Sequence, residues 1–236
     1  MWSLDDDRLH RGLILRAVSA TGDFARRLSA VYTGALTDVL DRHGYRQQTL
    51  AADIVALRPG MRLAGPVYPV LGRPHPGHDY DTSIRKILEM LGSVPPGSVA
   101  VYETNERTAA HFGELSATSL ASRGCAGAVL DGGARDAEYI LREDFPVFSR
   151  YVTPQDSVVR WELMAHGDVT IVVGGVGVSP GDWIAGDRDG LVIIPGGRLE
   201  EILAEAEDKV ATESEIRSSV REGMLPLEAY ERYGTF

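Results

Sequence analysis

The hydrophobic positions of the chain follow helical spacing near both ends. Residues 24–43 place apolar side chains three or four positions apart, which predicts one or two short helices that end near Gly44. In residues 197–221, apolar residues recur at alternating intervals of four and three. This spacing predicts a long C-terminal helix that packs against another element or another subunit.

Short apolar runs separated by Gly and Pro fill the region between these helices. Residues 51–72 have the pattern of strands joined by tight turns. Residues 73–81 are too rich in Pro, Gly and charge for a regular element, so they predict a loop before a helix at 84–91. Strands then alternate with helices, which favours the α/β class with parallel strands. The predicted strands are 98–102, 126–131 and 146–151, and the predicted helices are 114–123 and 136–143.

In the last third of the chain, before the C-terminal helix, the alternation of strands and helices gives way to successive strands. Four strands are predicted there, at 158–162, 169–173, 181–185 and 190–194.

No segment has the composition of a linker between domains. Residues 1–236 are therefore expected to form one domain, with 1–25 as an N-terminal extension and 197–236 as a C-terminal helix and tail.

Composition narrows the classes of function. The 236 residues are 44% hydrophobic and 25% charged, as in an ordinary globular protein, and their formal net charge is −10. This charge disfavours nucleic acid and membranes as partners, because both are anionic. An anionic small substrate would need locally concentrated positive charge. The single cysteine, Cys125, excludes an intrachain disulfide, and the sequence has no basic leader or long apolar segment, so a cytoplasmic location is expected.

Residues 113–136 combine features that suit an anion and a metal ion at one point. A helix starts near Glu114, a buried strand follows, and a Gly-rich turn at 132–133 leads into Arg135 and Asp136. The first backbone N–H groups of a helix are unpaired and lie at its positive dipole end, so they favour anions. The arginine adds a forked cation and the aspartate a hard oxygen ligand. Because ligands gather at the carboxyl ends of parallel strands, this stretch is the candidate site.

Several of the polar residues nearby also have a purely structural interpretation. Asp136 could simply begin a helix, where a carboxylate is favoured by the helix dipole. We interpret Asp131 as the residue that ends its strand and caps the Gly-Gly turn. His111 is interpreted as a loop histidine, and Cys125 as a buried thiol.

Three features outside this stretch offer other chemistry. His75 and His78 lie near two aspartates, but the second half of a zinc motif is absent, so a loop that covers the substrate is preferred. Residues 174–181, GGVGVSPG, lack the third Gly and the following helix of a dinucleotide-binding motif. Glu213 falls on the apolar stripe of the C-terminal helix, where a carboxylate needs a hydrated cation or an arginine as partner.

Four segments together resemble the RraA-like family, which includes class II pyruvate aldolases acting on 4-hydroxy-4-methyl-2-oxoglutarate and 4-carboxy-4-hydroxy-2-oxoadipate. They are TDVLDRHG at 37–44, LRPGMRLAGP at 57–66, the whole stretch 113–136 and PGDWIAGDRDGLVIIP at 180–195. The Arg-Asp pair after DGG is the most specific element. The resemblance implies an α/β fold of the swivelling β/β/α-type sandwich, with a long C-terminal helix at a subunit interface of a homotrimer or homohexamer.

The resemblance also implies roles for individual residues. Asp136 matches the ligand of a divalent metal ion, Mg²⁺ or Mn²⁺, at a subunit boundary, and Arg135 matches the arginine that binds the pyruvyl group. Glu213 matches a carboxylate that a neighbouring subunit presents to the site, with Glu215 as the alternative. The resemblance further implies that backbone amides at a helix start bind the substrate carboxylate. The matching residues in this chain are Gly113, Glu114, Leu115 and Ser116.

The implied function is a metal-dependent lyase that cleaves a 4-hydroxy-2-oxo acid into pyruvate and a second carbonyl compound, and that also decarboxylates oxaloacetate. The metal ion and Arg135 would stabilise the enolate charge that both reactions develop. The family also contains inhibitors of an RNA-degrading endonuclease, so a protein-binding regulator is one alternative. An enzyme acting on another 2-oxo acid or sugar acid is a second alternative.

Overall fold

A computed structural model describes residues 21–77 and 79–236. Most of the predicted N-terminal extension, residues 1–20, lies outside the described part. The helices expected near the two ends of the chain are confirmed, and those at the N-terminal side are two short ones. The helices are α1 (residues 21–30), α2 (Thr33–Arg42), α3 (Tyr80–Ser93), α4 (Glu114–Ser122), α5 (Ala137–Arg142), α6 (Leu199–Arg221) and α7 (Pro226–Tyr233).

The centre of the fold is a nine-stranded mixed sheet with a separate two-stranded hairpin. The strands are β1 (Val55–Ala56), β2 (Leu63–Pro74), β3 (Val99–Glu103), β4 (Ala110–Phe112), β5 (Gly127–Ala134), β6 (Val147–Val152), β7 (Trp161–His166), β8 (Ile171–Val173), β9 (Val176–Val178), β10 (Trp183–Gly186) and β11 (Leu191–Ile194). Strands β2, β3, β5 and β6 run parallel in the order β6-β5-β3-β2, which confirms the predicted α/β organisation.

Apolar side chains are buried on both faces of this sheet. Helices α3, α4 and α5 cover one face, where Tyr102 and Trp161 are among the largest buried residues. The hairpin of β8 and β9 covers the other face, over Val101 and Phe148. A third cluster packs α1, α2 and α6 against β10 and β11. Each large apolar side chain buried in this way contributes about 1.5–3 kcal/mol of transfer free energy.

The apolar stripe of α6 is buried over only part of its length. Leu199, Ile202, Leu203 and Ala206 are buried in the third cluster, whereas Ile216 is the one buried residue after them in this helix. The first half therefore packs against the chain itself, as the spacing predicts. The second half is covered less completely: Val210, Glu213 and Val220 are only partly buried, and α7 packs against this helix.

The predicted turn at residues 132–133 is wrong, because β5 continues to Ala134. Glycine serves close packing here and not chain reversal. A Cβ atom at Gly132 would lie 2.7 Å from the side chain of Thr104, and one at Gly133 would collide with Tyr151. The strand thus carries its end, and Arg135 after it, to the edge of the sheet.

The predicted strand at 158–162 is also misplaced. Residues 157–160 form a turn in which the Arg160 N–H donates to the Ser157 carbonyl over 2.7 Å, and β7 begins only at Trp161. Val158 is buried without being part of a strand, which explains the apolar signal. The predicted loop 73–81 is shorter in the structure, because β2 extends to Pro74 and α3 begins at Tyr80. Asp79 caps α3, since its side chain accepts a hydrogen bond from the Thr82 N–H over 2.9 Å.

Candidate active site

The end of β5 and the start of α4 meet at one cleft. The backbone N–H of Arg135 donates to the Phe112 carbonyl over 2.9 Å, which fixes the end of β5 beside β4 and the helix that follows it. Asp136 then adopts a left-handed backbone conformation, with φ of 56°, before α5 begins. Aspartate tolerates this conformation better than most residues. The two adjacent side chains of the predicted pair therefore both reach the cleft.

Three charged side chains form a row across the cleft. The Arg135 Nε lies 3.5 Å from Asp136 Oδ2, and its Nη1 lies 3.5 Å from Asp156 Oδ2. All three side chains are partly exposed, at 36%, 46% and 35% respectively. Asp156 was missed by the sequence reasoning. Its position depends on an isolated β-bridge between Ala110 and Asp156, which a local sequence pattern does not predict.

The first turn of α4 lies beside Asp136. Its N-cap residue, Gly113, offers no side-chain cap, and the Glu114 N–H is directed at Asp136 Oδ2 over 3.5 Å. A Cβ atom at Gly113 would lie 2.8 Å from that oxygen, so glycine leaves the space in which the carboxylate sits. Leu115 and Ser116 also line the cleft. The structure thus brings together the residues predicted to bind the substrate and the metal ion, at an uncapped helix start.

The cleft has a volume of about 220 Å³, and apolar side chains of α3 form part of its lining. The N-terminal part of α3 was predicted to be a loop. Phe112 and Val158, both buried, also line the cleft.

A buried polar cluster around His111 borders the cleft, and His111 itself lines it. Its Nε2 lies 3.3 Å from Glu106 Oε2, and its ring packs edge-on against Trp161 at a centroid distance of 5.2 Å. Burial lowers the pKa of His111 to about 4, although the Glu106 carboxylate opposes this shift. His111 belongs to β4 and is buried, so the interpretation as a loop histidine is wrong. It is neutral at pH 7 and contributes no positive charge to the cleft.

Asp131 does not cap a turn; it lies inside β5 and its carboxylate is fully engaged. It pairs with Arg150 and with Arg107, at 2.9 Å for the latter, and it accepts from the Gly174 N–H over 2.7 Å. Burial favours a higher pKa, but the hydrogen bonds from Arg150 and Gly174 outweigh it and leave the pKa of Asp131 below its usual value. This residue is therefore structural, as expected, although for a different reason.

Glu213 does not line the cleft of its own chain. It lies on α6, where Lys209 Nζ approaches its Oε1 to 2.9 Å, so the partner on this stripe is a lysine of the same helix. Glu215, the alternative, is exposed. Both placements are compatible with a carboxylate that acts on a neighbouring subunit, which stays a prediction.

Among the described residues, the other features considered in the sequence do not line the cleft. His75 is 3.9 Å from Glu162, and His78 lies outside the described residues. Gly174 and Gly175 connect β8 to β9 in a hairpin, so no dinucleotide-binding helix follows. Cys125 is buried, and burial raises the pKa of its thiol, as a structural cysteine requires.

Within the described part of the chain, one group of three side chains has the spacing of metal ligands, and it is not in the cleft. It consists of His43, Glu201 and Glu205. Arg198 Nη2 lies 2.8 Å from the His43 Nδ1 and 2.9 Å from Glu201 Oε2, so a guanidinium already compensates these carboxylates.

The sheet, its helical layers and the charged cleft define a single-domain α/β protein with a polar site at the carboxyl ends of its parallel strands. Residues 33–193 match the RraA-like family, described as Aldolase/RraA, and the chain belongs to that family. The resemblance recognised in the sequence and the expected fold class are both confirmed. Among the described residues, none of the helices combines the length and apolarity needed to cross a lipid bilayer.

Three similar proteins illustrate the range of the family. A Halalkalibacterium halodurans protein, provisionally named 4-hydroxy-4-methyl-2-oxoglutarate aldolase, is 28% identical over 209 residues, which cover 88% of this chain and 93% of that protein. A Thermus thermophilus 4-hydroxy-4-methyl-2-oxoglutarate aldolase is 32% identical over 114 residues, covering 48% and 66%. Among solved structures, Streptomyces coelicolor RraAS2, an unusual member of the RNase ES inhibitor RraA protein family, superimposes with a TM-score of 0.76, 28% identity and coverage of 84% and 98%.

Proposed function

We propose that this protein is a divalent-metal-dependent carbon–carbon lyase that cleaves a 4-hydroxy-2-oxo acid into pyruvate and a second carbonyl compound. Decarboxylation of oxaloacetate would use the same site. The observation that carries the proposal is the meeting of Arg135, Asp136 and the uncapped start of α4 in one cleft. The aldolase names of similar proteins support it.

The substrate carboxylate is assigned to the start of α4 and to Arg135. The backbone amides of residues 115 and 116 precede the first intrahelical hydrogen bond, which the Ala117 N–H donates to Gly113, so they have donors to offer beside the Glu114 N–H, which is directed at Asp136. The positive end of the helix dipole adds attraction for a carboxylate. Arg135, partly exposed at the cleft, has further donors for the 2-oxo group.

Both reactions break the C3–C4 bond and leave its electron pair on the pyruvyl half, as an enolate. In aldol cleavage the 4-hydroxyl loses its proton and becomes the carbonyl of the second product. In oxaloacetate decarboxylation the C4 carboxylate leaves as carbon dioxide, and no hydroxyl proton has to be removed. The enolate then takes a proton at C3 to give pyruvate. Arg135 is placed to stabilise the negative charge that develops on the 2-oxo oxygen.

The donor set suits a hydrated Mg²⁺ or Mn²⁺ ion held by Asp136. Its carboxylate is half-exposed, is adjacent to the space that Gly113 leaves open, and has Asp156 within the same row of charges. One direct carboxylate is typical of Mg²⁺, which retains several water ligands. When bound, the ion would act as a Lewis acid toward the 2-oxo acid.

Both aspartates that line the cleft, Asp136 and Asp156, contact Arg135, and His111, which also lines it, is a weak base because burial lowers its pKa to about 4. We assign the role of base for the 4-hydroxyl proton to Glu213 of a neighbouring subunit, acting through water, with Glu215 as the alternative. The assembly would then be a homotrimer or homohexamer. The partial exposure of Glu213 on α6, 21% of its side chain, supports contact with a neighbouring subunit there.

The proposal is tested by pyruvate release from oxaloacetate and from 4-hydroxy-4-methyl-2-oxoglutarate, with Mg²⁺ or Mn²⁺ and with a metal-only blank that subtracts spontaneous decarboxylation. Arg135→Lys keeps the charge but loses the fork, so we expect kcat/KM to fall about 100-fold. Arg142→Lys is the matched control, because Arg142 is on α5 and stacks on Tyr139 at 4.8 Å. Metal-independent turnover, or an Arg135→Lys variant as active as the parent, would contradict the proposal.

A protein-binding regulator is the second candidate, because the similarity to RraAS2 extends over 98% of that chain. The net charge of −10 would suit a basic partner surface. Absence of pyruvate release together with tight binding to an RNA-degrading endonuclease in a pull-down would favour this candidate.

A further inference from the structure

Arg135 lies between two carboxylates and is bound tightly to neither of them. Its Nε is 3.5 Å from Asp136 Oδ2, and its Nη1 is 3.5 Å from Asp156 Oδ2. A charge-assisted hydrogen bond between a guanidinium and a carboxylate is normally about 2.7–2.9 Å long. The guanidinium is therefore shared between the two carboxylates and has not closed onto either.

Asp156 is held in place from its own side of the cleft. Its backbone forms a β-bridge with Ala110, the first residue of β4. Its Oδ1 accepts from the Val158 N–H over 3.3 Å, and its carbonyl accepts from Arg160 Nη1 over 2.8 Å. Because Oδ1 is used within this turn, Oδ2 is the oxygen that faces Arg135.

The carboxylate of Asp136 has one oxygen that several groups can bind. Arg135 approaches its Oδ2, and the Glu114 N–H is directed at the same atom over 3.5 Å. This oxygen also lies beside the space that Gly113 leaves open. A guanidinium that closed onto Oδ2 would compete with a divalent cation, since both bind through the lone pairs of the same carboxylate.

The charge of Asp156 opposes this competition. Within the described part of the chain, Asp136 and Asp156 are the two carboxylates paired with Arg135. If Asp156 lost its charge, Asp136 would be the remaining anionic partner, and the guanidinium would move toward it.

We infer that Asp156 is a positioning residue for the metal site: it draws Arg135 away from Asp136 and so keeps the Asp136 carboxylate available to a divalent cation. The inference rests on the proposed function, in which Asp136 holds the ion. Asp156 does not bind the ion itself but acts through the guanidinium of Arg135.

Mn²⁺ binding to the assembled protein, measured by EPR of the free ion, tests this role without turnover. Asp156→Asn removes the charge but keeps an oxygen for the Val158 N–H. We expect the Mn²⁺ dissociation constant to rise about tenfold or more, since changes in residues that orient a metal ligand typically cost about 10–100-fold in affinity. Asp144→Asn is the matched control, because it also removes a carboxylate paired with an arginine, is 75% exposed and does not line the cleft.

A double-mutant cycle with Arg135→Met separates action through the guanidinium from direct action on the ion. In the Arg135→Met background, Asp156→Asn should change the Mn²⁺ dissociation constant by less than about twofold, as independent sites do. A tenfold loss that persists there would show that Asp156 binds the ion or acts on it by its own charge, and would overturn the inference. So would an Asp156→Asn protein with the affinity of the parent, as expected if a neighbouring subunit supplies the second partner of Arg135.

Pyruvate release as a function of Mn²⁺ concentration separates the inference from the proposed function. For Asp156→Asn, the Mn²⁺ concentration that gives half-maximal rate should rise about tenfold, with kcat at saturating Mn²⁺ little changed. A parent that requires Mn²⁺, with an Asp156→Asn variant of unchanged metal dependence, would remove the inference alone. Mn²⁺ binding with the expected coupling but without lyase activity would remove the proposed reaction and leave the role of Asp156. A parent that neither binds nor requires the ion would remove both.

Discussion

Asp131 and Asp136 are five residues apart on one chain segment, yet their surroundings are opposite. Asp131 lies inside β5, is buried, and receives hydrogen bonds from Arg150 and the Gly174 N–H. Asp136 follows the end of the same strand, is 46% exposed, and has only long contacts of 3.5 Å with Arg135 and the Glu114 N–H. A carboxylate whose oxygens are all engaged holds the fold together, whereas one with unused capacity is available to a ligand.

Asp136→Asn tests the exposed carboxylate that follows the end of β5, and it has the largest expected effect. Asparagine keeps the size and tolerates the left-handed backbone, but it removes the charge that a metal ion requires. We expect pyruvate release to fall about 1,000-fold, equivalent to about 4 kcal/mol of transition-state stabilisation. The free energy of unfolding should change by less than about 0.5 kcal/mol. Retained activity would remove Asp136 from the site.

Asp131→Asn is the matched change at the buried carboxylate inside β5. It leaves the guanidinium of Arg150, whose side chain is 12% exposed, without its main partner. Removing one member of a buried ion pair typically costs 3–5 kcal/mol, and Asp53 also contacts Arg150, so we expect a loss of about 3–4 kcal/mol in the free energy of unfolding. Urea denaturation measures it. A variant as stable as the parent but inactive would reverse the roles assigned to the two aspartates.

The contrast between these two aspartates also explains what could be predicted from the sequence. Arg135, Asp136 and the start of α4 lie within one local stretch, so their convergence follows from strand and helix patterns. Asp156 and the Glu106–His111 contact depend on chain segments brought together by the sheet, which local patterns do not encode. Gly132 looked like a turn residue because the sequence does not show that Thr104 lies against it.

The pH dependence of stability tests the buried cluster around His111, which lies on β4 beside β5. Since its folded pKa is lowered to about 4 from 6.5, the unfolded chain takes up a proton that the native chain does not as the pH falls through that interval. The stabilisation is present above pH 6.5 and is lost toward pH 4, by about 3 kcal/mol at 1.36 kcal/mol per pH unit.

Glu106 and Asp131 act in a lower window. Their lowered pKa values start from 4.5 and 3.8, so their contributions are lost only as the pH falls below those values. Urea unfolding between about pH 6.5 and about pH 5.5 therefore isolates the histidine, because glutamates with an unfolded pKa of 4.5 remain ionised over that interval. His111→Phe keeps a ring against Trp161 and should flatten this dependence, whatever its effect at pH 7. An unchanged slope would show that His111 is not the titrating group.

Gly113→Ala has the smallest expected effect and separates the position of Asp136 from its charge. The backbone of Gly113 is extended, with φ of −139°, so alanine introduces no backbone strain. Its methyl group would lie 2.8 Å from Asp136 Oδ2 and displace the carboxylate, so we expect about a tenfold loss of kcat/KM, or about 1.4 kcal/mol, with little change in stability. Gly177→Ala is the control, because its methyl group meets open space. If Gly113→Ala is as active as the parent, the site tolerates displacement of the Asp136 carboxylate. Asp136 would then differ from Asp131, with its rigid surroundings, in the geometry that its role requires as well as in its charge environment.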